Sequence, residues 1–536
     1  FLLSLVGSEM CIRDSSKPEL FAGLSLTQGF NEMPLVCNGF KDAEYVETVV
    51  LAAKMGRTIY PVIEQSHELR LIRESARQHD VLPNFGIRAK LAAPGVGRWA
   101  GSSGIRGKFG LTVGEILHAV EYLDEEGLLG GLRMLHCHVG SQIFDIRSVK
   151  YFVSELAHLY VELRRTGAPV ELLDFGGGLG VDYDGSRTAT ESSTNYTLDQ
   201  YAADIVHRMK TVCDEAGVPH PGIMTESGRA LVAHSSVLVC EVIGSRVFQV
   251  EPDSSLVQAA LDADDPPQPL LDVHDAWQRL DVDDDELPEV YADAEHALSE
   301  ATNLFNLGYM DLRTRAACEE LFWAVGSAAL QRLDDDLPEA LRDLPDRLAD
   351  LYFVNLSVFQ SLLDSWGIDQ IFPIMPIHRL TEEPTRRGVL ADITCDSDGR
   401  VDRFPGDGEM KTTLELHEAP GGGPFPQGVH DDPYYLGIFL TGAYQETLGD
   451  LHNLLGDTNA VHVVSGRDGG WRIETVVEGE TVREVLSYVQ FEPEEMRRRL
   501  RQDIEGALET SRLTLAEGAR LRRFLDESLQ GYTYLE

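Results

Sequence analysis

The 536-residue chain is short of positive charge: 46 lysines and arginines stand against 88 aspartates and glutamates, a formal net charge of -42. So acidic a surface repels phosphate backbones and anionic lipid. It excludes nucleic-acid or membrane-surface binding through bulk electrostatics and favours cationic ligands and solubility at high salt. An acidic surface that reflects a salty habitat, with no bearing on substrate, fits the same numbers. Lysine itself occurs at eight positions: Lys17, Lys41, Lys54, Lys90, Lys108, Lys150, Lys210 and Lys411. No apolar run reaches the roughly 18 residues that cross a bilayer, and the opening FLLSLVGSEMCIRDSS lacks a basic leader and a clear small-residue cleavage site. The seven cysteines, Cys11, Cys37, Cys137, Cys213, Cys240, Cys318 and Cys395, form no CxxC pair. That absence argues against a zinc ribbon or disulfide framework and for reduced thiols in the cytoplasm. The dinucleotide fingerprint GxGxxG is missing too: after Gly176 and Gly178 the third position is Val181, and after Gly178 and Gly180 it is Tyr183.

What is present centres on LDFGGGLGVDY, Leu173 to Tyr183. It reads as a hydrophobic strand followed by four glycines, Gly176, Gly177, Gly178 and Gly180, in five positions. Glycines so placed let the backbone approach a ligand closely, with amides free to hold an anion such as a phosphate. Around this stretch, apolar runs alternate with amphipathic helical patterns: helices are predicted over Ala43–Met55, Ser66–His79, Thr112–Glu126, Ser148–Thr166 and Leu198–Ala216. The fold class is α/β, and because the polar signatures sit at the C-terminal ends of strands, a (β/α)8-type barrel is expected. The expected organisation is a foreign stub over residues 1–16, a barrel over 17–250, an acidic helical insertion over 251–350, a β-sandwich or barrel over 351–491 and a helical segment over 492–536.

Three constellations carry chemistry. In HCHVGS, His136 and His138 share one face of a strand by period-two alternation. A metal pair, a satisfied structural histidine, and a ring stacked on a planar cofactor with Ser141 on a phosphate all remain open. In TESGRA, the Glu226 carboxylate suits a protonated heterocyclic nitrogen and the Gly228 amide suits a phosphate cradle. The plainer reading is a helix start with a surface Arg229. In TCDSDG, Cys395 beside Asp396 suits a general acid, against the commoner fate of a buried structural thiol.

Together with YFVNLSVFQ, WGIDQIFP, GAYQE, LHNLLGD and GYTYLE, these motifs resemble the biosynthetic arginine decarboxylases. That family lies in the alanine-racemase-like, fold type III class of pyridoxal phosphate (PLP) decarboxylases, which also holds ornithine and diaminopimelate decarboxylases. The resemblance runs from about Lys17 to Glu536. It implies a (β/α) barrel and a β-domain separated by a helical bundle, and decarboxylation of L-arginine to agmatine in polyamine biosynthesis. It further implies that Ser141, Gly176, Gly177, Gly178 and Gly228 hold the PLP phosphate, with Tyr444 closing over it, and that Arg229 is among the cofactor-binding residues. His138 would stack on the ring and Glu226 would hold the ring nitrogen. Cys395 and Asp396 would enter a neighbouring subunit's site, with Cys395 returning the proton, in a homodimer or tetramer. The substrate-facing stretch would be Leu173, Asp174, Phe175, Gly176, Gly177, Gly178, Leu179, Gly180, Val181, Asp182 and Tyr183, with Asp364, Asp369 and Asp398 as candidates for the guanidinium. Magnesium often accompanies the family, and no motif here locates it. Related decarboxylases acting on ornithine, diaminopimelate or carboxynorspermidine, and a non-catalytic PLP-binding protein, are the alternatives.

One family motif is absent. The lysine that tethers the cofactor lies on the first barrel strand in a sequence close to YPIKVN, and none of the eight lysines stands in that context. The chain is therefore expected to be truncated at its N-terminus, to lack the first barrel strand and to be inactive as written.

Overall fold

The computed structural model describes residues 12–92, 107–247, 251–252, 254–333, 337–406, 410–419, 433–466 and 469–535, and the chain divides after Ser236 into two units. The first alternates strand and helix. Its elements are β1 (Ile12–Asp14), α1 (Lys17–Leu26), β2 (Leu35–Cys37), α2 (Ala43–Lys54), β3 (Ile59–Ile63), α3 (Glu68–His79), β4 (Phe85–Arg88), α4 (Val113–Glu125), β5 (Leu132–His138), α5 (Ile146–Arg165), β6 (Leu172–Gly176), α6 (Leu198–Ala216), β7 (Gly222–Glu226) and α7 (Gly228–Val232). The expected helices are found within two residues at either end. Local chemistry sets their starts: Thr112 and Glu115 close a capping box on α4, and Thr197 and Gln200 close one on α6, whose far end stops at Gly217 with φ 65°.

All seven strands pair in parallel in sequence order. Strands β2, β3 and β4 are buried throughout, as apolar runs covered on both faces should be. The outer face packs on the helices through Leu135, Cys137, Val153, Leu156, Leu173 and Phe175. The ring does not close among the described residues, because β1 and β7 are sheet edges and do not pair with each other. Residues Gly222 and Ile223 of β7 are accordingly exposed. The expected stub falls mostly on residues 1–11, outside the described residues, and its remainder supplies the short edge strand β1.

The second unit begins with β8 (Val237–Arg246), which lies inside the range read as barrel but pairs in a second, mixed sheet. Four helices follow, α8 (Ser254–Leu261), α9 (Gln268–Gln278), α10 (Leu287–Asn306) and α11 (Leu312–Leu333), and close on their own core of Leu270, Val290, Ala294, Leu321 and Phe322. Strands 350–354, 374–376, 386–391, 400–401, 414–416 and 434–439 complete the sheet with β8. A separate hairpin, 460–465 with 471–477, and three helices over 482–488, 493–509 and 515–528 end the chain. No described helix is long and apolar enough to cross a membrane.

The C-terminal ends of β2 to β4 carry a buried ionic network. Lys41, 1% exposed, donates to the carbonyl oxygens of Gly39 and Val62 and lies 3.4 Å from Glu68 Oε2. Glu68 accepts from the Glu64 and Lys41 amides, while Glu64 accepts from Gly39 and pairs with Arg88 at 3.2 Å. Burial pushes the Glu68 carboxyl up from 4.5 and Lys41 draws it back. Removing one partner of a buried pair strands the other charge. Lys41→Met is therefore expected to cost about 3 kcal/mol in urea unfolding followed in the first unit. A carboxyl with a raised folded pKa stabilises at low pH and loses that contribution as the pH climbs through the raised value. The deficit should thus grow as the pH rises above 4.5. A loss that stays flat with pH would contradict this account.

Candidate active site

Parallel register brings the first constellation together. Pairing of β5 with β6 sets His136 opposite Asp174 and His138 opposite Gly176, and pairing of β6 with β7 sets Gly176 opposite Glu226. His138, Gly176 and Glu226 thus form one row across three strands. The middle position admits no side chain: a Cβ on Gly176 would lie 2.4 Å from the Cys137 carbonyl oxygen, 2.6 Å from His136 Cε1 and 2.9 Å from Glu226 Oε2. Across that gap His138 Nδ1 stands 3.6 Å from Glu226 Oε2.

One layer below, His136 Nδ1 and Asp174 Oδ2 make a buried 2.9 Å hydrogen bond. His136, Asp174 and Glu226 also form a group whose ligand atoms lie within 4.8 Å of one another. This group holds only one of the two histidines, and spacing along the chain does not reveal it because its three residues come from three strands. Magnesium favours an all-oxygen shell, so the imidazole makes this group a poor match for it. Cys137 points the other way, into the core, and burial pushes its thiol pKa well up. Leu173 and Phe175 share that outward face, both fully buried. Packing, rather than the substrate contact expected for them, is the role their orientation gives.

The loop after β6 is locked to the loop after β5. Gly177 and Gly178 have φ of 71° and 102°, and a Cβ on Gly177 would come within 2.0 Å of the Gly140 carbonyl oxygen. The Ile143 amide donates to the Gly178 carbonyl. Two residues that sequence reasoning missed complete the clamp. Gln142, itself at φ 52°, accepts from the Val181 amide at 2.8 Å and donates to the Val181 carbonyl at 2.6 Å. Tyr196 accepts from the Gly180 amide and donates to the Ile143 carbonyl. Arg229 is 4% exposed, against the reading of a surface arginine; its Nε donates to Ser141 Oγ at 3.1 Å and its Nη1 to Tyr183 Oη at 3.0 Å. Tyr183 and Val181 are buried within this framework, and Asp182 accepts from Ser193. Gly228, at the start of α7, has open space where a Cβ would be. A cavity of about 730 Å³ lies beside this cluster, along the free side of β7, lined by Leu179, Tyr196, Tyr201, Met224 and Leu231.

The second unit carries the other candidates. Cys395 is exposed, not a buried structural thiol. Its amide donates to Asn453 Oδ1 at 2.8 Å, and Asn453 Nδ2 lies 3.3 Å from its sulfur. Buried Asp392 anchors the loop through the Val358 and Thr394 amides, and Asp396 Oδ1 caps the Asp398 amide. Asp369 and Asp398 line one polar pocket of about 250 Å³ with Trp366 and Arg403, in which Arg403 pairs with Asp369 at 2.7 Å. Asp364 is buried. Tyr444 follows the strand 434–439, half exposed, with φ 70°. Non-glycine residues rarely hold that conformation, and where they do a functional constraint often maintains it.

Three family models match the chain. Residues 12–233 match the pyridoxal-dependent decarboxylase, pyridoxal binding domain; 263–349 match the arginine decarboxylase helical bundle domain; 482–535 match the arginine decarboxylase C-terminal helical extension. The biosynthetic arginine decarboxylase of Thermosynechococcus vestitus is 46% identical over 523 residues, 97% of this chain and 79% of that protein. That of Bacteroides thetaiotaomicron is 43% identical over 525 residues, 97% of this chain and 80% of that one. Among solved structures, the biosynthetic arginine decarboxylase of Campylobacter jejuni superposes with a TM-score of 0.82 at 31% identity, covering 98% of this chain and 80% of that chain. Diaminopimelate decarboxylase of Helicobacter pylori shares the fold, with a TM-score of 0.55 at 15% identity over 91% of this chain and 86% of that one. With a strand row that meets at a glycine, a locked glycine loop and these relatives over nearly its whole length, the chain belongs to the biosynthetic arginine decarboxylases, pyridoxal-dependent enzymes that convert L-arginine to agmatine and CO2.

Proposed function

We propose that the two halves of this reaction fall to two sets of residues in this chain. The observation that carries the assignment is the His138–Gly176–Glu226 row, because parallel register sets an imidazole and a carboxylate on one face of the sheet, 3.6 Å apart, where a single planar heterocycle lying over them can touch both. The backbone of Gly176, Gly177, Gly178 and Gly228, with Ser141 and Arg229, suits a phosphate: glycines, two of them at positive φ, let the backbone amides come close to an anion, and the guanidinium supplies charge. His138 covers one face of the ring and Glu226 meets its nitrogen. When bound, the pyridoxal ring supplies the sink for the electron pair left as CO2 departs.

Cys395 delivers a proton to the α-carbon of the substrate. Its exposure and the two contacts from Asn453 support that role, with Asp396 alongside and Tyr444 closing over the phosphate. Asp369 and Asp398 receive the guanidinium. Their shared pocket supports this, and the Arg403–Asp369 pair there is the same guanidinium–carboxylate contact a substrate arginine would make. The working unit is a homodimer or a pair of dimers with shared sites in the cytoplasm.

The lysines bear on turnover. Lys17 pairs with Asp42 and Glu44, Lys54 caps His79, Lys150 pairs with Asp204 and Lys411 with Glu415, while Lys41 is held by Gly39, Val62 and Glu68. Lys90, Lys108 and Lys210 likewise stand outside the motif in which the family carries its tethering lysine, and we propose that this chain holds its cofactor without a covalent lysine and turns over little by itself. The chain is incubated with PLP and L-arginine, agmatine is measured, and borohydride reduction followed by peptide mapping reports any labelled lysine. No labelled lysine and negligible agmatine are expected; normal turnover would sink the idea. Ornithine and diaminopimelate in parallel separate the related decarboxylases. In the same preparation, Gly177→Ala should weaken PLP binding at least about tenfold, since a Cβ there collides with the Gly140 carbonyl. Unchanged binding would remove the glycine loop from the phosphate site.

A further inference from the structure

Asn38 lies just beyond β2, far from β7 in sheet order, yet its side chain reaches across the inside of the curled sheet. Its Nδ2 donates to Glu226 Oε1 at 3.0 Å, and Asn38 is wholly buried. The two oxygens of Glu226 are thereby made unequal. Oε1 faces Asn38 and stands 3.9 Å from His136 Nδ1, whereas Oε2 is the oxygen turned toward Gly176 and stands 3.6 Å from His138 Nδ1. We propose that Asn38 is a positioning residue for Glu226, orienting its carboxylate so that Oε2 meets the ring nitrogen of the cofactor.

The chemistry favours an amide for this task. A carboxylate on a single side-chain torsion can rotate its plane, and a hydrogen bond to one oxygen fixes that plane. A lysine or arginine in its place would orient Glu226 but also supply a positive charge, competing with a protonated ring nitrogen for the same carboxylate. The neutral amide orients without that competition. Because Asn38 follows a strand at the opposite side of the sheet from β7, the contact also ties the aim of Glu226 to the curl of the sheet. The sequence motif that contains it, PLVCNGF, is otherwise an ordinary strand exit.

The inference rests on the reading that Glu226 meets the ring nitrogen, and the test separates the two. Two ligands are titrated calorimetrically into the full chain: 4′-deoxypyridoxine 5′-phosphate, which has the ring nitrogen and phosphate but no aldehyde, and its carbocyclic counterpart, with C–H in place of the nitrogen. Neither needs a lysine. The unmodified chain is expected to prefer the nitrogen-bearing ligand, and Glu226→Gln to lose that preference. Asn38→Ala should reduce the preference about tenfold, as expected for loss of one charge-assisted hydrogen bond, while changing affinity for the carbocycle less than about twofold. Asn38→Leu, of similar size but with neither donor nor charge, should do likewise and serves if the alanine variant does not fold. Equal weakening of both ligands, or an unchanged preference, would overturn the role of Asn38. If the unmodified chain shows no preference, the Glu226 reading fails and this inference falls with it.

Discussion

The missing Cβ at Gly176 is the constraint on which the candidate site depends. Three strands converge there so closely that a single added carbon would strike a carbonyl, an imidazole and a carboxylate together. That closeness follows from parallel register, which sets His138, Gly176 and Glu226 side by side, and from alternation, which turns the neighbouring Cys137 and Phe175 outward into the helical layer. The outward residues hold the sheet to its helices, while the inward ones are left for chemistry. Core and site are thus opposite faces of the same strands.

Polar contacts behind the row do the remaining work. The His136–Asp174 pair forms a buried layer under Glu226, and the Arg229–Ser141–Tyr183 contacts tie the start of α7 to the loop after β5. Gln142 and Tyr196 fasten the glycine loop by its backbone. The loop thereby holds two positive-φ glycines in one arrangement. In the second unit the same economy recurs on a smaller scale, with Asp392 and Asn453 holding the loop that carries Cys395.

The edges of the first sheet set a different demand. A parallel sheet normally buries its strands on both sides, and β7 with Ile223 exposed departs from β2 to β4. The apolar cavity along β7 lies on this free side, not over the charged row. Volume alone therefore points away from the residues whose chemistry converges.

Much of this was legible in the chain itself. Period-two alternation put His136 and His138 on one face, the glycine spacing marked the tightly folded loop after β6, and helical periodicity marked α2 to α6 to within two residues. These are properties of neighbours along the chain, where local geometry is decided by a few torsions. Other features needed the folded chain. Asn38 and Glu226 are 188 residues apart, Cys395 and Asn453 are 58 apart, and Asp174 and Glu226 reach His136 from separate strands. The same holds for the burial of Arg229, for which a surface place was one of two readings, and of Leu173 and Phe175, read as substrate contacts. Short-range pattern carries which side of a strand a residue occupies. Which strands lie beside each other, and so which side chains meet, is decided only when the sheet curls and brings β2 across to β7.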